Sequence, residues 1–90
     1  MSTIKTTVTI TNKMGFHARP AMAFVDLAGT FDASIKVIKD GQEVDGKSIM
    51  HLMMLAATQG TQLEIIADGN DAQQAIDKLT DLVDRKFDEE

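Results

Sequence analysis

The chain has 90 residues, a net charge of −5 and no cysteine. This length predicts a single domain over residues 1–90. The acidic balance argues against nucleic-acid binding, which requires a basic surface, and the lack of Trp and Tyr removes the main base-stacking side chains. No apolar run approaches the roughly 20 residues of a membrane helix, and residues 1–11 alternate rather than form a signal-peptide core. We therefore expect a cytoplasmic protein that contacts neither nucleic acid nor membrane.

The spacing of apolar residues predicts the element order β-α-β-β-α-β-α. Period-two alternation predicts strands at about 3–11, 34–39, 42–45 and 62–68, and helical spacing predicts helices at about 19–28, 48–57 and 72–87. Because each strand has one polar and one apolar face, we expect a four-stranded antiparallel sheet with three helices on one face and water on the other. This arrangement is an open-faced β-sandwich of the α+β class.

The first and last helices have a clear buried stripe. In the first helix the stripe comprises Ala21, Phe24, Val25 and Ala28, and in the last it runs from Ala72 to Phe87. The acidic residues at the end of the chain are expected to form a solvated tail.

The middle helix is too apolar to have only one buried face. If Leu52, Leu55 and Ala56 face the core, then Ile49, Met50 and Met53 are left over. The alternatives are a deeply buried helix and an exposed apolar patch. We favour the patch, because exposed apolar clusters mark partner sites and methionine adapts to several partners.

The stretch that joins the first strand to the first helix contains one of the two histidines of the chain, His17. Pro20 is tolerated in a first helical turn, so His17 is expected at or near the N-cap, beside unpaired backbone N–H groups. The helix end and Arg19 both favour a neutral imidazole, which can attack phosphorus, and the same groups can hold the phosphorylated product. The alternative is a capping histidine beside a solvated arginine, and spacing alone leaves both open.

Two motifs resemble a known family. His17-Ala18-Arg19-Pro20-Ala21, after Thr11-Asn12-Lys13-Met14-Gly15, is similar to the active-site signature of the HPr family. These are the small phosphocarrier proteins of the bacterial phosphoenolpyruvate-dependent phosphotransferase system. Lys47-Ser48-Ile49-Met50, followed by Leu55 and Gly60-Thr61, is similar to the family's regulatory-serine region at the expected distance. The resemblance covers nearly the whole chain and implies the order of elements given above.

The resemblance implies a phosphoryl-transfer cycle. His17 would accept a phosphoryl group from phosphorylated enzyme I, on the ring nitrogen that faces the helix end, and pass it to a histidine of an EIIA-type partner, in sugar uptake or its regulation. Arg19 would balance charge, and the backbone N–H groups of Ala18 and Arg19 would hold the phosphate oxygens. The carrier would need no metal or other cofactor of its own. The protein would be a transfer intermediate rather than a free-standing enzyme.

The resemblance also implies regulation and docking. Ser48 is a favourable N-cap, and in the family a serine here is phosphorylated by a dedicated kinase, which weakens acceptance of the histidine phosphate. Both roles can hold together. The expected docking surface for the phosphoryl donor and acceptors comprises Phe16, Met22, Ala23, Lys47, Ile49, Met50 and Met53.

Three questions stay open at this level. The first question is which branch of the family the chain resembles more. Similarity to NPr, the carrier of the nitrogen-related branch, is seen at residues 10–15, 20–22 and 86–90. Similarity to the kinase-regulated sugar branch is seen at residues 47–50. A non-catalytic interaction module that uses the methionine patch and ignores His17 is a different class of protein, and the joint presence of His17, Arg19 and Pro20 argues against it. We expect a monomer, with His51 a solvated helix residue.

Overall fold

The elements of the fold follow the predicted order. The structure, a computed structural model, describes residues 2–89. Its strands are β1 (Ser2–Thr9), β2 (Ser34–Lys39), β3 (Gln42–Asp45) and β4 (Gln62–Gly69). Its helices are α1 (Ala18–Ala28), α2 (Ile49–Met54) and α3 (Ala72–Asp84), followed by a one-turn segment at Lys86–Asp88.

The four strands form one antiparallel sheet in the order β1-β4-β2-β3. Val8 lies opposite Leu63 and Val37 opposite Ile65, and all four side chains are buried on the helix-covered face. On that face α3 packs against β1 and β4, and α1 packs against α2 and α3. The predicted open-faced β-sandwich is therefore confirmed. Within the described range, no helix has both the length and the apolarity needed to cross a membrane.

The stripe that α1 buries differs from the prediction at Pro20 and Val25. Its buried residues are Pro20, Ala21, Phe24 and Ala28. Val25, which was expected in the core, is only half-buried. Met22 is exposed and Ala23 is half-buried, so both lie outside the fully buried stripe.

Helix α2 is shorter than predicted, since it ends at Met54 rather than near residue 57. Ala56 adopts a φ of 51°, in the left-handed region that a helical residue does not occupy. Its side chain is exposed, so the prediction that Ala56 faces the core is wrong. Leu52 and Leu55 are buried as predicted, and Ala57 occupies the core in place of Ala56.

A close backbone contact at Gly15 holds the loop between β1 and α1. Gly15 has a φ of +69°, and a Cβ on it would lie 2.7 Å from the carbonyl oxygen of Ala57 and 2.9 Å from Cα of Thr58. The next residue, Phe16, donates its backbone N–H to the same Ala57 oxygen at 2.8 Å. Only glycine fits there. The loop that leads to His17 is thus fixed against the segment that follows α2.

The carboxylate of Asp71, at the start of α3, ties the loop before β2 to that helix. It accepts the backbone N–H of Asp32 at 2.8 Å and that of Ala33 at 2.8 Å. The hydrogen bond from Asp32, with help from that of Ala33, lowers the pKa of Asp71 below its usual value. A lowered folded-state pKa means that the carboxylate stabilises the fold above its unfolded pKa, and that this stabilisation is lost as the pH falls through the folded pKa.

We expect Asp71→Asn to lower the urea midpoint of unfolding at neutral pH, because the amide offers one acceptor oxygen and no charge. The difference in midpoint between Asp71→Asn and the unmodified protein should narrow as the pH falls through the lowered pKa of Asp71, because the carboxyl of the unmodified protein is then itself protonated. Asp84→Asn, at an exposed position at the end of α3, is the matched control and should change the midpoint little at any pH. If the urea midpoint of Asp71→Asn differs from that of the unmodified protein by the same amount at every pH, the Asp71 carboxylate does not have this stabilising role.

Candidate functional site

His17 is the N-cap residue of α1, as the sequence predicted. Its φ and ψ of −82° and −170° are extended, and its carbonyl oxygen accepts the N–H of Ala21 at 3.0 Å, the first hydrogen bond of the helix. Pro20 has no N–H. The N–H groups of Ala18 and Arg19 therefore stay without a backbone acceptor at this helix end, and they carry the partial positive charge of the dipole. The local geometry matches a site for an anion.

The His17 ring is paired with a carboxylate from the end of the chain. Nε2 of His17 lies 3.0 Å from Oε2 and 3.3 Å from Oε1 of Glu89. The Glu89 side chain is only 19% exposed and that of His17 is 35% exposed, so solvent screens this contact less than it screens a surface ion pair. The prediction that the acidic end is a solvated tail is wrong for Glu89. Glu90, the last residue of that predicted tail, lies outside the described residues.

A buried amide supports Glu89 from the other side. Asn12 is fully buried, and its Nδ2 donates to the Gly15 carbonyl oxygen at 2.7 Å and to Oε1 of Glu89 at 3.0 Å. The N–H of Gly15 returns a hydrogen bond to the Asn12 carbonyl oxygen at 3.1 Å, which closes a tight turn. Asn12 thereby joins the loop before α1 to the carboxylate that contacts His17.

Aromatic stacking brings the chain end to this loop. Phe16 is buried, with its ring centroid 5.6 Å from that of Phe87 in a stacked arrangement and 5.8 Å from that of Phe24 in an edge-on one. The prediction that Phe16 belongs to the exposed docking surface is therefore wrong. A large aromatic side chain next to the N-cap contributes more by closing the core than by meeting solvent.

The segment after α3 departs from the predicted helix. Helix α3 ends at Asp84, and Lys86, Phe87 and Asp88 all have φ between 57° and 61°, in the left-handed region. Each costs about 1–2 kcal/mol for a residue other than glycine. Burial of the Phe87 ring offsets about 1.5–3 kcal/mol of this. The guanidinium of Arg85 adds two hydrogen bonds to the Asp88 carboxylate, at 2.7 and 2.8 Å.

Arg19 lies beside the His17 ring. Together with Lys13, Met14 and Glu89, these two residues line a shallow depression on the surface. Arg19 is exposed and forms no ion pair within residues 2–89, so its guanidinium is available to a group bound at the depression. A planar guanidinium suits the oxygens of a phosphoryl group.

The apolar surface predicted on α2 is present. Ile49, Met50, Met53 and Met54 line it together with Ala18, the residue after His17. Met50 is 75% exposed and Met54 is 64% exposed. Met54 was not among the residues predicted for this surface. We call these four α2 residues the methionine surface.

The other predicted docking residues lie around this surface. Met22 and Ala23 line a neighbouring depression with Ala18 and Arg19, on the α1 side. Lys47 is half-buried, and its ammonium donates to the carbonyl oxygen of Phe31 at 2.8 Å. The ammonium group of Lys47 is therefore hydrogen-bonded within the protein rather than left free for a partner.

Ser48 is the N-cap of α2, as predicted. Its Oγ accepts the backbone N–H of His51 at 3.2 Å, and the residue is half-buried. His51 is exposed, and its Nδ1 accepts the backbone N–H of Asp45 at 3.3 Å. The second histidine of the chain therefore has a structural hydrogen bond and lies outside the depression at His17.

Comparison with known proteins gives the class of protein to which this fold and site belong. Residues 4–85 match the model of the family described as the PTS HPr component phosphorylation site. The phosphocarrier protein HPr of Neisseria meningitidis is 44% identical over 86 residues, which is 96% of this chain and 97% of that protein. The chain belongs to the HPr family of phosphocarrier proteins of the phosphotransferase system.

Relatives named HPr and a relative named NPr are similar along nearly the whole chain. The phosphocarrier protein NPr of Shewanella violacea is 38% identical over 99% of this chain and 98% of that protein. The crystal structure of HPr-C-His from Thermoanaerobacter tengcongensis superimposes with a TM-score of 0.93 at 45% identity, over 97% and 98% of the two chains. A second structure from that organism, with a TM-score of 0.78 at 45% identity over 91% and 94%, is described as an HPr dimer. The expected monomeric state therefore stays a prediction for this chain.

Proposed function

We propose that this protein carries a phosphoryl group on His17 between phosphorylated enzyme I and an EIIA-type acceptor. The observation that carries the proposal is the position of His17 at a helix N-cap with two unpaired N–H groups and Arg19 beside it. A trigonal phosphoryl group in transfer spreads its charge over three oxygens, and these donors are placed to bind them. Positioning and electrostatics therefore supply what the transfer needs, without a metal or other cofactor.

The transfer uses the ring nitrogen that does not contact Glu89. Nε2 of His17 is occupied by that carboxylate, so Nδ1 is the nitrogen left to attack phosphorus, which makes a pros-phosphohistidine. The bond from phosphorus to the donor breaks as the bond to Nδ1 forms, and the reverse exchange delivers the group to the acceptor. The protein is regenerated after each cycle of modification, so it acts as an intermediate in the cytoplasm rather than as an enzyme with its own turnover.

The test is phosphate uptake from labelled phosphoenolpyruvate in the presence of enzyme I. We expect the unmodified protein to acquire an acid-labile phosphate and His17→Ala to acquire none, because no other ring nitrogen lies at the helix end. His51→Ala is the matched control and should take up label normally, since His51 lies outside the depression. Label on His17→Ala would sink the assignment.

The methionine surface is proposed as the docking site for both partners, with Met22 and Ala23 extending it. It lies next to Ala18 and therefore next to the reacting histidine. A flexible apolar surface suits a carrier that must bind two different proteins in turn.

We expect Met50→Asp to raise the KM for the carrier in the enzyme I reaction about tenfold, because a charge in a desolvated contact costs on the order of 1.4 kcal/mol or more. The folded state should be unaffected, since Met50 is exposed. Gln74→Asp, which adds the same charge at an exposed position of α3, serves as the control. If Met50→Asp and the unmodified protein have the same KM in the enzyme I reaction, the methionine surface is not the docking site.

Ser48 is proposed as a regulatory phosphorylation site of a dedicated kinase. Its half-buried Oγ already caps α2, and a phosphate there would meet the N–H groups of the first turn. The helix would therefore persist. The new negative charge beside the methionine surface would weaken docking of the phosphoryl donor.

The nitrogen branch is a second candidate for the pathway. Residues 10–15 look closer to NPr, and an NPr is 38% identical over 99% of the chain, against 44% over 96% for an HPr. If the protein serves the nitrogen branch, transfer from the phosphorylated protein to a nitrogen-type EIIA will be faster than to a sugar-type EIIA, measured side by side in one mixture. Faster transfer to the sugar-type acceptor would assign the protein to the sugar branch. Partner binding without any phosphate uptake would instead support a non-catalytic interaction module.

A further inference from the structure

The pairing between His17 and the chain end has a consequence for the proton on the ring. A neutral imidazole carries its proton on one nitrogen and a lone pair on the other. Only the nitrogen with the lone pair can attack phosphorus. The position of the proton therefore decides whether the ring is ready to react.

We propose that Glu89 is a positioning residue that holds the proton of the neutral His17 ring on Nε2 and so keeps the lone pair on Nδ1. The proposal rests on the phosphocarrier function proposed above. An ionised carboxylate only accepts hydrogen bonds, so at 3.0 Å from Oε2 the nitrogen Nε2 must be the donor. In the opposite tautomer, Nδ1 has no lone pair and the lone pair of Nε2 faces the carboxylate.

The contact suits both states of the cycle. In the free protein the Nε2 proton is bound by Glu89 while Nδ1 attacks. When the P–N bond to Nδ1 has formed and the bond to the donor has broken, the ring still carries its Nε2 proton, and Glu89 still accepts it. No proton has to enter or leave the ring. The carboxylate lies at the nitrogen away from the phosphoryl group, which limits repulsion between the two anions.

The carboxylate is held in place from within the protein. Asn12, which is fully buried, donates to Oε1 of Glu89 at 3.0 Å. The buried ring of Phe87 anchors the backbone two residues earlier, and the N–H of Glu89 donates to the carbonyl oxygen of Lys86 at 3.0 Å. Three consecutive left-handed residues persist only where their surroundings determine them, and such segments concentrate at functional sites. Carboxylates that orient a reactive or metal-bound histidine in other proteins act in the same way.

The test is the ¹⁵N spectrum of the histidine rings at a pH where they are neutral. We expect the unmodified protein to show the His17 proton almost wholly on Nε2. Glu89→Ala should move the populations toward those of a histidine in an unstructured peptide, and Glu89→Gln, whose amide oxygen can still accept, should lie between. Asp84→Asn removes the same charge from an exposed site and should leave the spectrum unchanged. His51, in the same spectrum, is an internal reference that none of these changes should move.

The second measurement is the rate of phosphate uptake from phosphorylated enzyme I. Glu89→Ala should slow it about 10-fold or more, with Glu89→Gln closer to normal and the KM for the carrier unchanged. An unchanged His17 tautomer in Glu89→Ala overturns the positioning role even if the carrier works normally. If Glu89→Ala changes the His17 tautomer but leaves the rate of phosphate uptake unchanged, then Glu89 is not important for transfer. If the unmodified protein takes up no phosphate, the proposed function fails, while the ring spectra still decide whether Glu89 places the proton.

Discussion

His17 lies half-exposed at a helix N-terminus, and its position is fixed because the residue before it is buried. Phe16 packs between Phe24 and Phe87, and its backbone N–H is bonded to Ala57. These contacts fix where α1 begins and which way its unpaired N–H groups face. A reactive side chain on a mobile loop would have to be ordered during every transfer, at a cost in conformational entropy. In this protein the segment that carries His17 is already ordered in the folded state, so no further conformational entropy is lost during transfer.

In the proposed cycle, the two nitrogens of the His17 ring have different partners. Glu89 accepts the proton on Nε2, while the N–H groups of Ala18 and Arg19 and the Arg19 guanidinium hold the phosphoryl group on Nδ1. This polarity allows a single residue to serve as an acceptor and then as a donor of the same group. A carrier must release what it binds, so tight binding of the phosphoryl group by more cations would hinder the second half of the cycle.

The parts of this site that could be predicted from the sequence are those built from neighbours in the chain. Pro20 and the stripe of α1 predict a helix with His17 at or near its N-cap, and Ser48 before an apolar run predicts the cap of α2. Alternation along the strands likewise predicts the sheet, because a period of two is a local property.

What could not be predicted depends on backbone conformations that the residue types disfavour. The stripe of α3 extends in sequence to Phe87, but the left-handed values at Lys86, Phe87 and Asp88 end the helix and turn Glu89 inward. The left-handed Ala56 ends α2 early in the same manner. Asn12 gave one available signal: an asparagine close after a strand and before a glycine often closes a turn. Nothing local indicated that its amide would also meet Glu89.

The distance in sequence between the two halves of the site bears on how the protein folds. His17 and Glu89 are separated by 72 positions. Closing so long a loop is entropically costly, so contacts of this kind form late and slow the folding of small domains. The helix end with its two N–H groups can assemble from nearby residues, whereas the proton-holding contact exists only after α3 has docked on β1 and β4. A His17 ring paired with Glu89 is thus a marker that the whole chain has reached its native topology.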